Sequence, residues 1–416
     1  MAHNGPSEEF PAIPFAYPYI KTEEEEAVLR VLRSGWLTTG AEALAFEKEF
    51  AEFLQTPDSR PLYCMAVNSA TSGLHLALEA CGVQAGDLVL VPSYTFASTA
   101  EVARYLGADP VFVDSVPNGF HIDPSAAERV IKNLLEGRNP YTGKTDTMWR
   151  EKPLKAIMPV HYGGLACDMN SITELERRYD LKVIEDAAHS FPALTPQGYA
   201  GTIGDAGVFS FYATKTLCTG EGGMVACRDK ALAGRVSLMR SHGIDRSVWN
   251  RYTDTAAPWY YEVLEAGYKY NLPDVLAAVG RVQLSRAREL LRMRQAIAAR
   301  YDAAFANNGH FLIPPTAPGD ARHLYPLRLN LHALRISRDD FIGKLRENGV
   351  GVSVHFIPLH SMPYYKNRYH IDEANLPSAM YTFRQEISLP IWPGMSTGEL
   401  DRVIELVINT AREYTI

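Results

Sequence analysis

Five short apolar runs, separated by stretches of helical periodicity, constrain the fold of this chain more than any other feature of its sequence. The runs span residues 62–67, 88–92, 110–114, 156–161 and 182–186. Helices account for the length and spacing of the stretches between and around them, such as 71–81, 98–106, 124–135 and 170–179. Strands that alternate with helices form βαβ units, whose parallel strands are buried on both faces. We therefore predict an α/β fold with a mostly parallel central sheet flanked by helices.

The pattern changes in the last third of the chain. Residues 273–305 contain a single glycine, Gly280, and predict a long bridging helix. Beyond it we predict a strand, a helix, a second strand and a final helix, over 325–330, 337–347, 350–355 and 397–414. Such a mixture is typical of a small α+β domain. We expect a large domain over 1–270, followed by the bridging helix and a small C-terminal domain over 271–416.

Charge and composition argue against several classes of protein. The net charge of −7 disfavours nonspecific nucleic-acid binding, and Glu289 among the arginines at 286, 288, 292 and 294 predicts a solvated helix face. Residues 1–9 lack the basic and apolar parts of a signal peptide, and no run of 18 apolar residues occurs. The five cysteines form no C-x-x-C pair. We expect a cytoplasmic protein that binds no nucleic acid and does not enter a membrane.

A lysine and an aspartate near the ends of predicted strands form the candidate active site. Lys215 lies between short strands at 207–211 and 224–227, and Asp186 ends an apolar run. Ligands of α/β sheets bind at strand ends, so the two side chains could meet over one small molecule. Pyridoxal phosphate (PLP) requires an amine that forms a Schiff base and an acid that holds its ring nitrogen. Taken alone, a lysine in such a segment is more often a solvated turn residue.

Two other kinds of site lack support in the sequence. The turn Gly220-Glu221-Gly222-Gly223 has neither the Gly-Lys-Ser/Thr ending of a Walker loop nor the glycine spacing of a dinucleotide fingerprint. His355 and His360 have no flanking carboxylate at zincin spacing, and no Cys/His quartet occurs. We predict no metal site and no nucleotide-phosphate binding by those routes.

Several short motifs, in one order, carry a resemblance to a known family. Besides the segments around Asp186 and Lys215, they lie at 34–40, 68–78, 92–96, 159–164, 241–243, 267–272 and 389–390. Together they resemble the DegT/DnrJ/EryC1/StrS family of PLP-dependent sugar aminotransferases over almost the whole chain. The resemblance implies the aminotransferase fold type I. One departure is the segment 137–152, which is longer than the family's usual connection.

The resemblance implies roles around the cofactor ring. Lys215 would hold PLP covalently as the internal aldimine and then shuttle a proton during the reaction. Asp186 would pair with the pyridine nitrogen and keep it protonated. His189 would approach the ring and its hydroxyl, although a buried histidine satisfied by the core is the alternative. Phe96 would stack on the ring, although the residue pattern alone fits a core position equally well.

The resemblance also implies a phosphate site, a subunit arrangement and substrate contacts. Thr71 and Ser72 open a helix whose free N–H groups suit a phosphate, though plain N-cap residues would look the same. Ser210 is the matching hydroxyl beside the lysine. Asn271 matches a residue that reaches the phosphate of the neighbouring subunit, which implies a homodimer with shared active sites. Candidate substrate contacts are His242, His355 and His360.

The expected reaction moves an amino group from L-glutamate, which leaves as 2-oxoglutarate, to a nucleoside-diphosphate keto-sugar. A 4-keto sugar for cell-surface polysaccharide, lipopolysaccharide or related aminosugar synthesis is favoured, and the aromatic loop at 249–261 suits sugar binding. Lys215 separates the chain from a dehydrating branch that has histidine there. The alternatives are a non-catalytic PLP-binding regulator and another fold type I enzyme. A cysteine desulfurase needs a mobile catalytic cysteine, and Cys218 is poorly placed for that work.

Overall fold

The computed structural model describes residues 12–55, 60–245 and 259–416. The strands of these residues, β1 to β12 in chain order, are Tyr63–Val67, Leu88–Pro92, Asp109–Val113, Leu154–Ile157, Lys182–Asp186, Leu194–Thr195, Gly198–Tyr199, Ala206–Ser210, Gly223–Cys227, Phe311–Leu312, Tyr325–Leu329 and Glu386–Leu389. The helices, α1 to α13, are Thr22–Ser34, Ala41–Leu54, Ala70–Ala80, Ala97–Tyr105, Pro124–Leu135, Met169–Tyr179, Lys230–Met239, Asp274–Ser285, Ala287–Phe305, Arg338–Glu347, Pro363–Tyr369, Pro377–Phe383 and Thr397–Glu413.

A seven-stranded sheet forms the centre of the molecule, in the order β1-β9-β8-β5-β4-β2-β3. The five strands from β8 to β3 are parallel to one another, whereas β9 runs antiparallel to β8 and β1. Every residue of β2 and β3 is buried, as a sheet covered on both faces requires. The predicted α/β fold with a mostly parallel sheet is confirmed.

A smaller antiparallel sheet, β10-β11-β12, lies in the C-terminal part of the chain and has its own apolar core with α9, α10 and α13. The predicted helix over 273–305 is interrupted, because α8 ends at Ser285 and α9 begins at Ala287. Residues 359–376 contribute side chains to the core of the large sheet. The domain boundary at 270/271 stays a prediction.

The predicted strand over 350–355 is wrong. Only isolated bridges occur there, from Val350 to Ile13 and from Ser353 to Ser388. Two residues after Ser353, the backbone N–H of His355 donates to the Glu386 side chain over 3.0 Å instead of to a neighbouring strand. A side chain therefore takes the place of a ladder hydrogen bond.

The predicted solvated face of arginines is also wrong at one position. Arg294 is buried, and its guanidinium donates to the carbonyls of His323 and Ile391 at 3.1 and 2.9 Å. Leu290 and Ala298 lie one turn away on either side and are buried as well. Arg294 therefore belongs to the inward stripe of α9.

The long connection at 137–152 covers the outer strand β3. The hydroxyl of Tyr141 accepts a hydrogen bond from the backbone N–H of Phe112 over 3.0 Å, and Trp149 is buried in the core of the large sheet.

None of the described helices combines the length and the apolar character needed to cross a bilayer.

Candidate active site

A cavity of about 450 Å³ lies at the carboxyl ends of β5 and β8. This is the sheet edge at which ligands of α/β proteins bind. Residues from the C-terminal part of the chain, among them His323 and Ile391, complete its wall. Seven of the residues singled out from the sequence line it: Thr71, Phe96, Asp186, His189, Ser210, Lys215 and His355.

Lys215 follows β8 in a turn fixed by the hydrogen bond from its backbone N–H to the Tyr212 carbonyl, at 2.8 Å. Burial lowers the pKa of its amine to about 7, and the positive charge of Arg294 acts in the same direction against the opposing effect of Asp186. A large fraction of the amine is therefore neutral near pH 7. A neutral amine can attack an aldehyde carbon, whereas an ammonium group cannot.

Asp186 ends β5 with its side chain buried against the cavity. One carboxyl oxygen accepts from the Thr99 hydroxyl at 2.8 Å, and the other accepts from the Ala188 N–H at 3.2 Å. Burial raises the pKa of this carboxyl, and the charge of Lys215 opposes the rise. A carboxylate has about four acceptor positions, so it retains capacity for a further N–H donor. A cationic N–H would also offset its desolvation, and the protonated ring nitrogen of PLP is such a donor.

The N-terminus of α3 lines a further part of the cavity. Ser69 caps the helix by accepting from the Ser72 N–H at 3.1 Å, while Ala70 and Thr71 line the cavity in the first turn. Gly223 lets β9 approach closely, because a Cβ there would lie 2.8 Å from the Ala70 nitrogen. Helix N-termini favour anions, and the Ser210 hydroxyl lines the same cavity. This end of the cavity fits the PLP phosphate.

Aromatic side chains form part of the cavity wall, and His189, Phe96 and Phe356 are among them. His189 Nδ1 accepts from the Gly163 N–H at 3.3 Å, and burial holds the pKa of the imidazole well below its usual value. Its ring stacks on Phe356 with centroids 5.8 Å apart. Phe96 is 58% exposed and lines the cavity, so it is not a core residue. A flat ring could therefore pack against these side chains.

Two predicted residues, Ser72 and His360, lie outside the cavity lining and form hydrogen bonds elsewhere. The Ser72 hydroxyl donates to Asn68 Oδ1 at 2.6 Å, beneath the first turn of α3. His360 is fully buried, and its Nδ1 hydrogen-bonds the Ser93 hydroxyl. Neither side chain faces the cavity of the chain to which it belongs.

Asn271 and His242 also lie outside that lining. The Asn271 amide donates to the Thr39 hydroxyl, and its carbonyl accepts from Lys269 Nζ. His242 is exposed, and its backbone N–H donates to the Tyr268 carbonyl at 2.8 Å. Most of the predicted sugar-binding loop at 249–261, namely residues 249–258, lies outside the described residues.

Three residues of the site were missed in the sequence. Thr99 contacts Asp186, and His323 lies in the cavity wall with its ring 4.6 Å from that of His189. Arg294 donates to the carbonyl of Thr214, next to the lysine, at 3.4 Å. Only Arg294 could have been recognised from the sequence, because it stands at a position where the helical period requires an apolar side chain.

Other chemistries find little support in this geometry. Cys218 is buried and burial raises the pKa of its thiol, which opposes the mobile thiolate that a desulfurase needs. Within the ranges that the structure describes, no three His, Cys, Asp or Glu side chains cluster closely enough to hold a metal ion.

Comparisons with known proteins identify the family of the chain. Residues 18–408 match the DegT/DnrJ/EryC1/StrS aminotransferase family. The spore coat polysaccharide biosynthesis protein SpsC of Bacillus subtilis is 40% identical over 95% of this chain and 96% of its own length. PseC of Helicobacter pylori, an aminotransferase in pseudoaminic acid biosynthesis, superposes with a TM-score of 0.84 at 26% identity, over 97% of this chain and 100% of its own.

A putative sugar aminotransferase of Streptococcus pneumoniae, solved in its PLP form, gives a TM-score of 0.82 at 30% identity. That similarity covers 97% of this chain and 99% of the other. The resemblance seen in the sequence motifs is confirmed, together with the predicted cofactor. The chain belongs to the DegT/DnrJ/EryC1/StrS aminotransferase family and is a PLP-dependent sugar aminotransferase.

Proposed function

We propose that the protein transfers an amino group from L-glutamate to the keto group of a nucleotide-linked sugar, with a 4-keto sugar as the favoured acceptor. The observation that carries the proposal is the meeting of Lys215, Asp186 and the N-terminus of α3 around one cavity. The segments 262–264 and 267–272 resemble UDP-4-amino-4-deoxy-L-arabinose aminotransferase, which favours the 4-keto position.

The biosynthetic setting that we propose is the assembly of a cell-surface polysaccharide or lipopolysaccharide. SpsC, by its name, acts in spore coat polysaccharide biosynthesis, and PseC acts in pseudoaminic acid biosynthesis. The cysteines of this chain are all free, which favours the reducing cytoplasm as the compartment.

Four residues of the site would have a part in the proposed reaction. PLP, when bound, supplies an aldehyde that condenses with amines and a ring that withdraws electrons. Lys215 would supply the amine that holds the cofactor, and its Nζ would move a proton to and from the substrate carbon. Asp186 would accept a hydrogen bond from the ring N–H and stabilise its positive charge. Thr71 and Ser210 would hold the phosphate.

The residues around the cavity favour an acceptor whose keto-bearing part is a neutral, hydroxyl-rich sugar ring. Among the described residues no arginine lines the cavity. Arg240 pairs with Glu47 and donates to the Ala66 carbonyl, and Arg328 is buried against the ring of Phe120. A pair of arginines that could clamp two carboxylates is therefore missing from this part of the wall.

The acceptor class can be tested in two half-reactions. We expect L-glutamate to convert the bound cofactor to its amine form, and a nucleotide keto-sugar to return it faster than oxaloacetate or pyruvate does. The loss and recovery of visible cofactor absorbance measures both steps. The matched control is the same nucleotide sugar with a hydroxyl in place of the keto group, which should return nothing. Faster recovery with a keto acid than with every nucleotide keto-sugar would contradict the sugar assignment and leave the PLP site intact.

We also propose a homodimer in which Asn271 completes the phosphate site of the partner subunit. Asn271 lies beside the N-terminus of α3, since the neighbouring Tyr270 carbonyl accepts from the Asn68 N–H at 2.7 Å, yet its side chain does not line its own cavity. A residue placed next to an anion site but turned away from it suits a contact across a two-fold axis.

Mixing two inactive variants tests the shared site. We expect Lys215→Ala and Asn271→Trp subunits to be nearly inactive alone and to regain roughly a quarter of wild-type activity after subunit exchange. Half of the dimers are then mixed, and each mixed dimer has one site with an intact lysine and an intact asparagine. Exchange is verified with two different tags. Pairing Lys215→Ala with the double variant is the control and should restore nothing, and the absence of recovery in the test mixture would place Asn271 within its own site.

A further inference from the structure

Behind one wall of the cavity, a chain of hydrogen bonds joins a buried carboxyl group to a histidine that lines the cavity. His355 Nδ1 lies 2.8 Å from Ser388 Oγ, and Ser388 Oγ hydrogen-bonds Glu386 Oε1. The other carboxyl oxygen accepts the backbone N–H of His355 at 3.0 Å. Glu386 and Ser388 are fully buried on the same face of β12. Since Nδ1 is engaged, Nε2 is the ring nitrogen of His355 that a ligand in the cavity can reach.

This chain can determine which ring nitrogen of a neutral imidazole carries the proton. An ionised Glu386 accepts the hydroxyl proton of Ser388, so Ser388 Oγ accepts from Nδ1–H and Nε2 is a bare acceptor. A protonated Glu386 donates to Ser388 Oγ, so the hydroxyl proton turns to Nδ1 and Nε2 carries the ring proton. The two states differ in the hydrogen-bonding role of Nε2 and not in the charge of the ring.

We propose that Glu386, acting through Ser388, sets which ring nitrogen of His355 carries the proton, and thereby whether Nε2 donates or accepts a hydrogen bond at the substrate. His355 would contact the ligand, and the other two are positioning residues. The identification of the substrate as a keto-sugar rests on the proposed function. The position of the ring proton of His355 in the protein without substrate does not depend on that function.

The surroundings of Glu386 allow both of its states. Burial raises the pKa of the carboxyl to about 8, and the positive charge of Arg338 opposes the rise. Burial raises the pKa of the Tyr94 and Tyr162 phenols above its usual value, and the negative charge of Glu386 acts in the same direction. The Tyr162 hydroxyl donates to the backbone carbonyl of His355 and not to the Glu386 carboxyl. Arg328 is the register partner of Glu386 on β11.

His355 stays neutral while Glu386 titrates. Burial lowers the pKa of its imidazole to about 4, and the charge of Lys215 acts in the same direction. His189 and His323 are the other titratable groups beside it, and burial also holds the pKa of each well below its usual value. When Glu386 gains or loses a proton, the ring proton of His355 therefore changes from one nitrogen to the other, and the imidazole remains uncharged.

The position of the proton is directly measurable in long-range ¹H–¹⁵N spectra of histidine-labelled protein without substrate, with His355 assigned through His355→Asn. At about pH 6.5, below the carboxyl's pKa, the proton should be on Nε2, and at about pH 9.5 on Nδ1. Glu386→Gln should hold it on Nε2 at both values. Its carbonyl still accepts the His355 N–H, and its amide can then only donate to Ser388.

Two further variants separate this role from a merely structural one. Glu347→Gln removes an exposed carboxylate that pairs with Lys344, and it should leave the pH-dependent move intact. In a Ser388→Ala background, adding Glu386→Gln should no longer change the position of the proton. A proton that stays on one nitrogen in the wild type, or that still moves in the Glu386→Gln variant, would overturn the proposal. If the proton moves as expected while no nucleotide keto-sugar is aminated, the proposed function fails and the role of Glu386 stands.

Discussion

Replacing Lys215 with alanine is expected to lower turnover by roughly 10³-fold or more, which is the largest effect of any single change in this chain. Proton transfer by a positioned group alone contributes about 10²- to 10⁴-fold, and Lys215 supplies the covalent hold as well. The variant should still bind PLP through the α3 N-terminus and Ser210. Steady-state turnover and retention of the cofactor on desalting measure the two effects separately.

Borohydride reduction tests the same residue in the unmodified enzyme. It should leave the reduced cofactor on the peptide that contains Lys215, because burial lowers the pKa of that amine to about 7. Lys182→Ala is the control, because Lys182 pairs with Asp205 at the end of β5 remote from Asp186, and this variant should lose no turnover. Reduction onto a different lysine would disprove the assignment.

Replacing Asp186 with asparagine is expected to lower kcat by roughly 10²- to 10³-fold, corresponding to about 3 to 4 kcal/mol in the transition state. Asparagine can still accept the Thr99 hydrogen bond, but it offers no negative charge to the ring N–H. Folding should change little, which thermal unfolding of the PLP-free protein can check. Turnover and unfolding must therefore be measured on the same preparation.

The matched control for Asp186→Asn is Thr99→Val, which removes one hydrogen bond from the carboxyl but keeps its charge. Its loss of turnover should be much smaller, about tenfold, because only the orientation of the carboxyl is weakened. Near-normal turnover of Asp186→Asn would show that another group keeps the ring nitrogen protonated.

The parts of the fold that were predictable are those fixed by local sequence. The strand Leu88–Pro92 is a continuous apolar run, and only a sheet buried on both faces accommodates it. Asp186 ends one predicted strand and Lys215 follows another, and the ends of parallel strands meet at one edge of the sheet. Motifs could be matched to a family for the same reason, because each is a short contiguous segment.

The parts that were not predictable depend on contacts between distant segments. His355 leaves the expected strand because its N–H meets the side chain of Glu386, and nothing near either residue indicates that contact. Thr99 joins the site only because the first turn of α4 brings its hydroxyl to the Asp186 carboxyl at the end of β5. Arg294 is a different case, because the sequence does place it on the apolar stripe of its helix. The charged residues beside it nevertheless led to the prediction of a solvated face.

The segment 137–152 has a consequence for the behaviour of the enzyme at high concentration. A bare outer strand is a template on which the strand of another molecule can pair. Tyr141 already satisfies an outward amide of β3, and Trp149 anchors the segment in the core, where loss of such a side chain costs about 3 to 5 kcal/mol. We therefore expect that shortening this connection would leave the catalytic groups in place but expose the edge of β3, so that light scattering would detect aggregation at high protein concentration.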